Sequence, residues 1–225
     1  MAKRTTKAGP LLALVLLFGP AFLLILMSTR SCEHKFKVLE DYGPIPAYSF
    51  RDSKGKTYTN ASFKGQIVIF TTLQPSCPDS CAVSVWHIDQ QIYQQLRRNR
   101  RKLGHVKLVS FITDGKGNPS DRLKDIAFTL NDQVEGYDPD IWILANGNAR
   151  EAFNITSNGK SLLQKGKQYY GGEAFQELML LVDKSNHLRM VLSGTTESMV
   201  RTMKQHVALL DKQYDKEQWR KTHKE

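Results

Sequence analysis

Cys77 and Cys81 are separated by Pro78-Asp79-Ser80, in a chain of 225 residues whose remaining cysteine is Cys32. On a helix, a spacing of four puts both sulfurs on the same side, where they can chelate one metal ion or, after a small adjustment, form a disulfide. Two thiolates are soft donors that favour Cu(I) over hard cations. Zinc asks for four ligands, and the chain has no second cysteine pair to supply them. A dithiol also serves as a redox couple. The residues leave copper binding, redox work, or both. Placed at the start of a helix, Cys77 has its thiolate stabilised by the positive end of the helix dipole. Cys81 falls on the apolar face and is the less exposed partner.

The elements that must position this pair are legible on either side of it. Ile67-Val68-Ile69-Phe70-Thr71-Thr72 is uncharged and largely β-branched, the pattern of a central strand buried on both faces. Gln74-Pro75-Ser76 then leads to Cys77. After it, Cys81, Val85, Ile88, Ile92 and Leu96 recur at helical spacing, and Pro78 suits a first helical position. Upstream, Tyr48-Ser49-Phe50 and Lys56-Thr57-Tyr58-Thr59 alternate as two short strands around the turn Asp52-Ser53-Lys54-Gly55.

Downstream, residues 106–112 and 141–144 read as further strands. Between them Pro119-Ser120 caps a helix with Leu123, Ile126, Ala127 and Leu130 inward. Residues 178–182 and 188–192 form a hairpin around Asp183-Lys184-Ser185-Asn186-His187. A last helix from Thr196 to Leu210 turns Met199, Met203, Val207 and Leu210 to one face. Strands alternating with helices, closed by a hairpin and a helix, predict an α/β thioredoxin-like fold, a central mixed sheet flanked by helices.

Residues 8–29 carry no charge and are apolar from Leu11 to Met27 apart from Gly19-Pro20, with Lys3, Arg4 and Lys7 ahead of them. At about 1.5 Å per residue those positions match a hydrocarbon core of about 30 Å. Hydropathy therefore predicts residues 1–10 as a cytoplasmic N-terminus, 11–28 as a transmembrane helix, and 29–43 as a linker to an exported domain over 44–212 with a charged tail at 213–225. That topology places the chain in a bacterial inner membrane as a single-pass protein with its domain in the periplasm. Cys32 is then a juxtamembrane thiol, because Arg30 is unlike the small or aliphatic residues that precede a lipidated cysteine.

The formal charge of +10 does not argue for nucleic acid. Removing Lys3, Arg4, Lys7 and Arg30 leaves 28 basic against 22 acidic residues, a net of +6. Much of that excess sits in Arg97-Arg98-Asn99-Arg100-Arg101-Lys102 and after Tyr214, and no aromatic residues interleave the first run as single-strand binding would require.

The domain resembles the Sco/SenC family, membrane-anchored thioredoxin-like proteins that deliver copper to the copper centre of cytochrome oxidase or reduce its cysteines. The resemblance rests on an ordered series: Ile45-Pro46 with Phe50, Gly55-Lys56 to Thr59-Asn60 with Phe63-Lys64-Gly65, Cys77-Pro78-Asp79-Ser80-Cys81, Val109-Ser110-Phe111, Leu123-Lys124, Trp142-Ile143-Leu144 and Leu181-Val182-Asp183-Lys184. It covers residues 44–210. It implies Cys77 and Cys81 as copper ligands and redox-active cysteines, Cu(I) as cofactor, and a respiratory oxidase subunit or another periplasmic thiol or copper protein as partner.

One departure stands against the series. In the family a histidine about eight residues before the hairpin aspartate completes a three-ligand site, and that count lands here on Phe175. No histidine lies between His105 and His187. Glu173, Glu177, Tyr169 and Tyr170 nearby are hard donors. His187 falls in the hairpin turn, and His87 is turned about 240° around the helix from Cys81. No proline follows Pro139, so the cis-proline of ordinary thioredoxins is missing too. Three readings follow. One is a membrane-anchored Sco-like dithiol protein serving an oxidase copper centre. The second is a general thiol–disulfide reductase. The third is a degenerate binding scaffold with a structural disulfide.

Overall fold

The computed structural model describes residues 8–31, 38–76, 85–157, 159–161, 163, 168–169, 172–175 and 178–223. The chain divides into two compact units, Met1–Lys37 and Val38–Glu225.

The first unit contains one helix, α1 (Ala8–Ser31), with Pro20 inside it. The expectation of a membrane span over 11–28 is not met. Among the described residues, no helix is long and apolar enough to cross a membrane. The single-pass inner-membrane location and the membrane as partner lose their basis with it.

The second unit is built on a seven-stranded mixed sheet. Its strands are β1 (Ser49–Arg51), β2 (Thr57–Thr59), β3 (Ile67–Leu73), β4 (Val106–Ile112), β5 (Trp142–Gly147), β10 (Leu178–Val182) and β11 (Leu188–Ser193), in the spatial order β11-β10-β3-β4-β5-β1-β2. Two small ribbons, β6 (Thr156–Ser157) with β7 (Lys160–Ser161) and β8 (Gln168–Tyr169) with β9 (Gly172–Glu173), fall between β5 and β10 in sequence. β3, β4 and β5 run parallel, and the β10–β11 hairpin and the β1–β2 hairpin add antiparallel strands at the two ends.

The uncharged run in β3 is explained by burial on both faces of the sheet. Ile67 and Ile69 enter one cluster, with Ile88, Ile92 and Leu96 on the helix side and Met203, Val207 and Leu210 from the last helix. Val68 and Phe70 face the other cluster, with Phe50, Phe63, Phe111, Phe153 and Phe175. The ring of Phe111 stands edge-on to that of Phe50, their centroids 5.3 Å apart.

After residue 85 the chain is helical. An i→i+5 turn over Asp89–Tyr93 is followed by α2 (Gln94–Arg98) and α3 (Arg100–Leu103). The basic run is partly paired: Arg97 bonds Glu135 and Arg100 bonds Asp138, each at 2.8 Å. The helix expected from Pro119-Ser120 begins later, as α4 (Leu123–Gln133), because Pro119 pairs in a bridge with Thr113. α5 (Ala149–Phe153) follows β5, capped by the Asn148 side chain. The last helix, α6 (Glu197–Thr222), is capped by Thr196 and continues well past Leu210.

Where β3, β4 and β5 meet, a small polar group is buried within the sheet. The Trp142 indole N–H donates to Ser110 Oγ at 2.8 Å, and Ser110 Oγ lies 2.6 Å from Thr71 Oγ1. Ser110→Ala leaves both partners desolvated and unpaired. The expected cost is about 2–4 kcal/mol, read as a lower urea midpoint with unchanged slope.

The 183–187 turn is closed by Asp183, whose Oδ1 accepts from the N–H groups of Ser185 and His187, with Asn186 at φ 63°. His187 Nδ1 reaches Asp41 Oδ2 at 2.9 Å and ties this hairpin to the segment before β1. That hydrogen bond, followed by one from the Gly43 N–H, holds the Asp41 carboxyl below its ordinary range, against the opposing effect of desolvation. A folded-state value below the unfolded one means a contribution present above about pH 4 and lost as the pH falls through the folded value. The urea midpoint is therefore expected to fall below about pH 4, and to fall less steeply in Asp41→Asn.

Candidate functional site

β3 ends at Leu73 in the middle of the sheet, at the carboxyl end of its parallel strands, where open α/β sheets place their ligands. Cys77 and Cys81 follow it in sequence and lie outside the described residues, and Cys32 is outside them too. The expectation of a disulfide bond falls on these cysteines and lies outside the described residues with them. The part of the helical face that is described does fall as its spacing requires. Ile88, Ile92 and Leu96 are buried and Val85 packs against their cluster.

The strand end is fastened by a residue that the sequence reading passed over as a polar lead-in. Gln74 Oε1 accepts the backbone N–H of Phe175 at 2.9 Å, and its Nε2 donates to Ser76 Oγ at 3.2 Å. One carboxamide thus joins the approach to Cys77 with the segment before β10. Its signal in the sequence was a lone amide directly after seven strand residues.

Phe175, where a third copper ligand was sought, is a core side chain. It is 6% exposed, and its ring stands edge-on to Phe153 with centroids 6.2 Å apart. Gly117, at φ +85°, lies against it: a Cβ there would come within 2.5 Å of Phe175 Cε2. Phe175 fills a built apolar position.

The described histidines do not supply the missing donor. His105 Nε2 lies 2.8 Å from Asp211 Oδ1, His187 is held by Asp41, and His206 Nδ1 lies 2.7 Å from the Thr202 carbonyl oxygen. His87 keeps a buried Nδ1 without a partner beside the ring of Trp86. Among the described residues no group of three or more His, Cys, Asp or Glu could hold a metal ion. Cys77 and Cys81 lie outside the residues so described, and the copper-ligand expectation lies outside them too. The reading of the chain as a membrane-anchored protein is corrected, since among the described residues no helix is long and apolar enough to cross a membrane.

No family model matches the chain, and no curated protein matches it in sequence. Solved structures do match. BsSco, a member of the Sco family of cytochrome c oxidase assembly proteins, aligns at 16% identity with a TM-score of 0.56, over 79% of this chain and 98% of that one. Arabidopsis thaliana ScoI with copper bound aligns at 15% identity with a TM-score of 0.51, over 77% of this chain and 99% of that one. A Bacteroides thetaiotaomicron protein provisionally described as a protein disulfide isomerase aligns at 14% identity and 0.51, over 78% and 92%. On these likenesses the second unit has the thioredoxin-like fold found in Sco-family and disulfide-isomerase structures alike.

Proposed function

We propose that this chain is a thiol–disulfide exchange protein that works through Cys77 and Cys81. The observation that carries the reading is the position of the pair, which follows directly on the carboxyl end of the central strand β3 and precedes the helical segment from residue 85.

In the proposed step the Cys77 thiolate attacks one sulfur of a client disulfide. A Cys77–client bond forms, the client bond breaks, and the leaving client thiolate takes up a proton. The Cys81 thiolate then attacks Cys77 Sγ and releases the second client thiol. Two electrons pass from the pair to the client, and an external dithiol returns them. Phe175 and Gln74 do no chemistry in this step. They fix the strand end from which the cysteine segment departs.

Copper enters through the same two sulfurs. A pair of thiolates suits Cu(I), and two sulfurs without a nitrogen donor are expected to bind Cu(II) far more weakly than Cu(I).

The test is reduction of insulin by dithiothreitol in the presence of the full chain. Acceleration above the dithiothreitol background, proportional to chain concentration, supports the reading. A rate equal to the background, in a chain whose two thiols titrate as accessible, contradicts it.

A further inference from the structure

A groove of about 220 Å³ opens between the helical segment 85–103 and α6, on the helix side of the sheet. Its floor is apolar and belongs to the main core: Ile69, Ile92, Leu96 and Val207 are all buried.

Its polar lining is mixed, with Gln95, Asn99 and Asp211 beside Lys102, Lys204 and Lys212. The side chains of Lys102 and Lys204 have no ion pair or hydrogen bond among the described residues. Asp211 is the acid of the lining, and it is engaged by His105 at 2.8 Å. The Gln95 carboxamide also lines the groove, with Oε1 buried and without a partner. No aromatic side chain lines the space, so nothing there would stack on a base or ring.

An apolar floor under two unpaired ammonium groups fits a small amphiphile with an anionic head. We propose that this groove binds an aliphatic monocarboxylate, its chain on the floor and its carboxylate at Lys102 and Lys204. The cationic lining disfavours a fatty amine, and a neutral alkyl chain would leave the lysines unanswered. The volume excludes a full lipid. This site is separate from the cysteine pair and does not depend on the exchange reading.

The probe is octanoate, titrated into the full chain and followed by calorimetry and by amide chemical shifts, with octanol as the neutral control. The expected result is saturable one-to-one binding with shifts concentrated at 95–103 and 204–212, and octanol weaker by tenfold or more. Lys102→Glu combined with Lys204→Glu is expected to weaken octanoate at least tenfold. Ala208→Trp, an exposed position that lines the groove, is expected to abolish binding by filling the space. The proposal is overturned if octanoate does not saturate, if octanol binds as tightly, or if folded Ala208→Trp binds like the parent chain. Binding to anionic vesicles without binding to octanoate overturns it as well.

Discussion

Cys77→Ser is expected to abolish insulin reduction by the full chain, with a loss of at least 100-fold, while Cys81→Ser stalls after the first step. The asymmetry follows from the order of attack. Without the Cys77 thiolate no bond to the client forms, and serine is far too weak a nucleophile to replace it. Without Cys81 the mixed disulfide between Cys77 and the client has no internal route to resolution. It should accumulate as a covalent species, visible on a non-reducing gel and by mass. Cys32→Ser is expected to change neither behaviour. Equal loss in both variants with no trapped species would point to a structural role for the pair.

Phe175→Ala is expected to cost about 3–5 kcal/mol of stability, because it empties a buried aromatic site bounded by Phe153 and Gly117. Gly117→Ala reaches the same ring from the other side. Its Cβ would meet Phe175 Cε2 at 2.5 Å and the Arg150 side chain at 2.9 Å, at a backbone φ of +85° that alanine rarely adopts. Because Gln74 ties the Phe175 N–H to the approach to Cys77, both variants should also slow exchange in the population that remains folded. Chemical unfolding and insulin reduction on the same samples check this. Phe175→Ala with unchanged stability would show that the ring is not packed as described.

Much of the fold was legible because its signals are local. β3 announced itself by an uncharged run, and both of its faces are buried. The β10–β11 hairpin was readable from two apolar runs around a turn rich in Asp, Ser and Asn. Other features depend on tertiary context. The i→i+5 turn at Asp89–Tyr93 has no compositional signature, and the helical period on either side of it still matches. α6 was expected to stop near Leu210, where its apolar face ends. It continues to Thr222 through residues of good helix propensity, with Gln213 Nε2 bonded to Glu217 across one turn. The Pro119-Ser120 cap failed because a bridge to Thr113 claimed Pro119 first.

Near the end of β3, sequence counting arrived at Phe175 without showing what holds it there. Phe175 is indeed joined to the residues leading into Cys77, but through its backbone N–H. Its ring belongs to the aromatic cluster behind the sheet, a role that only the packing of Gly117 and Phe153 makes visible. The apolar run at the N-terminus shows the opposite error. Hydropathy alone read residues 11–28 as a span, whereas among the described residues no helix is long and apolar enough to cross a membrane.

The central claim is that Cys77 and Cys81 form a working dithiol, and the equilibrium of the full chain with glutathione redox buffers tests it most directly. Catalytic and exchange dithiols lie between about −270 and −120 mV, whereas structural disulfides lie below about −300 mV. The account predicts a single reversible two-electron transition within the first range, lost in Cys77→Ser. A pair that stays oxidised below −300 mV, or that shows no reversible transition, would contradict it.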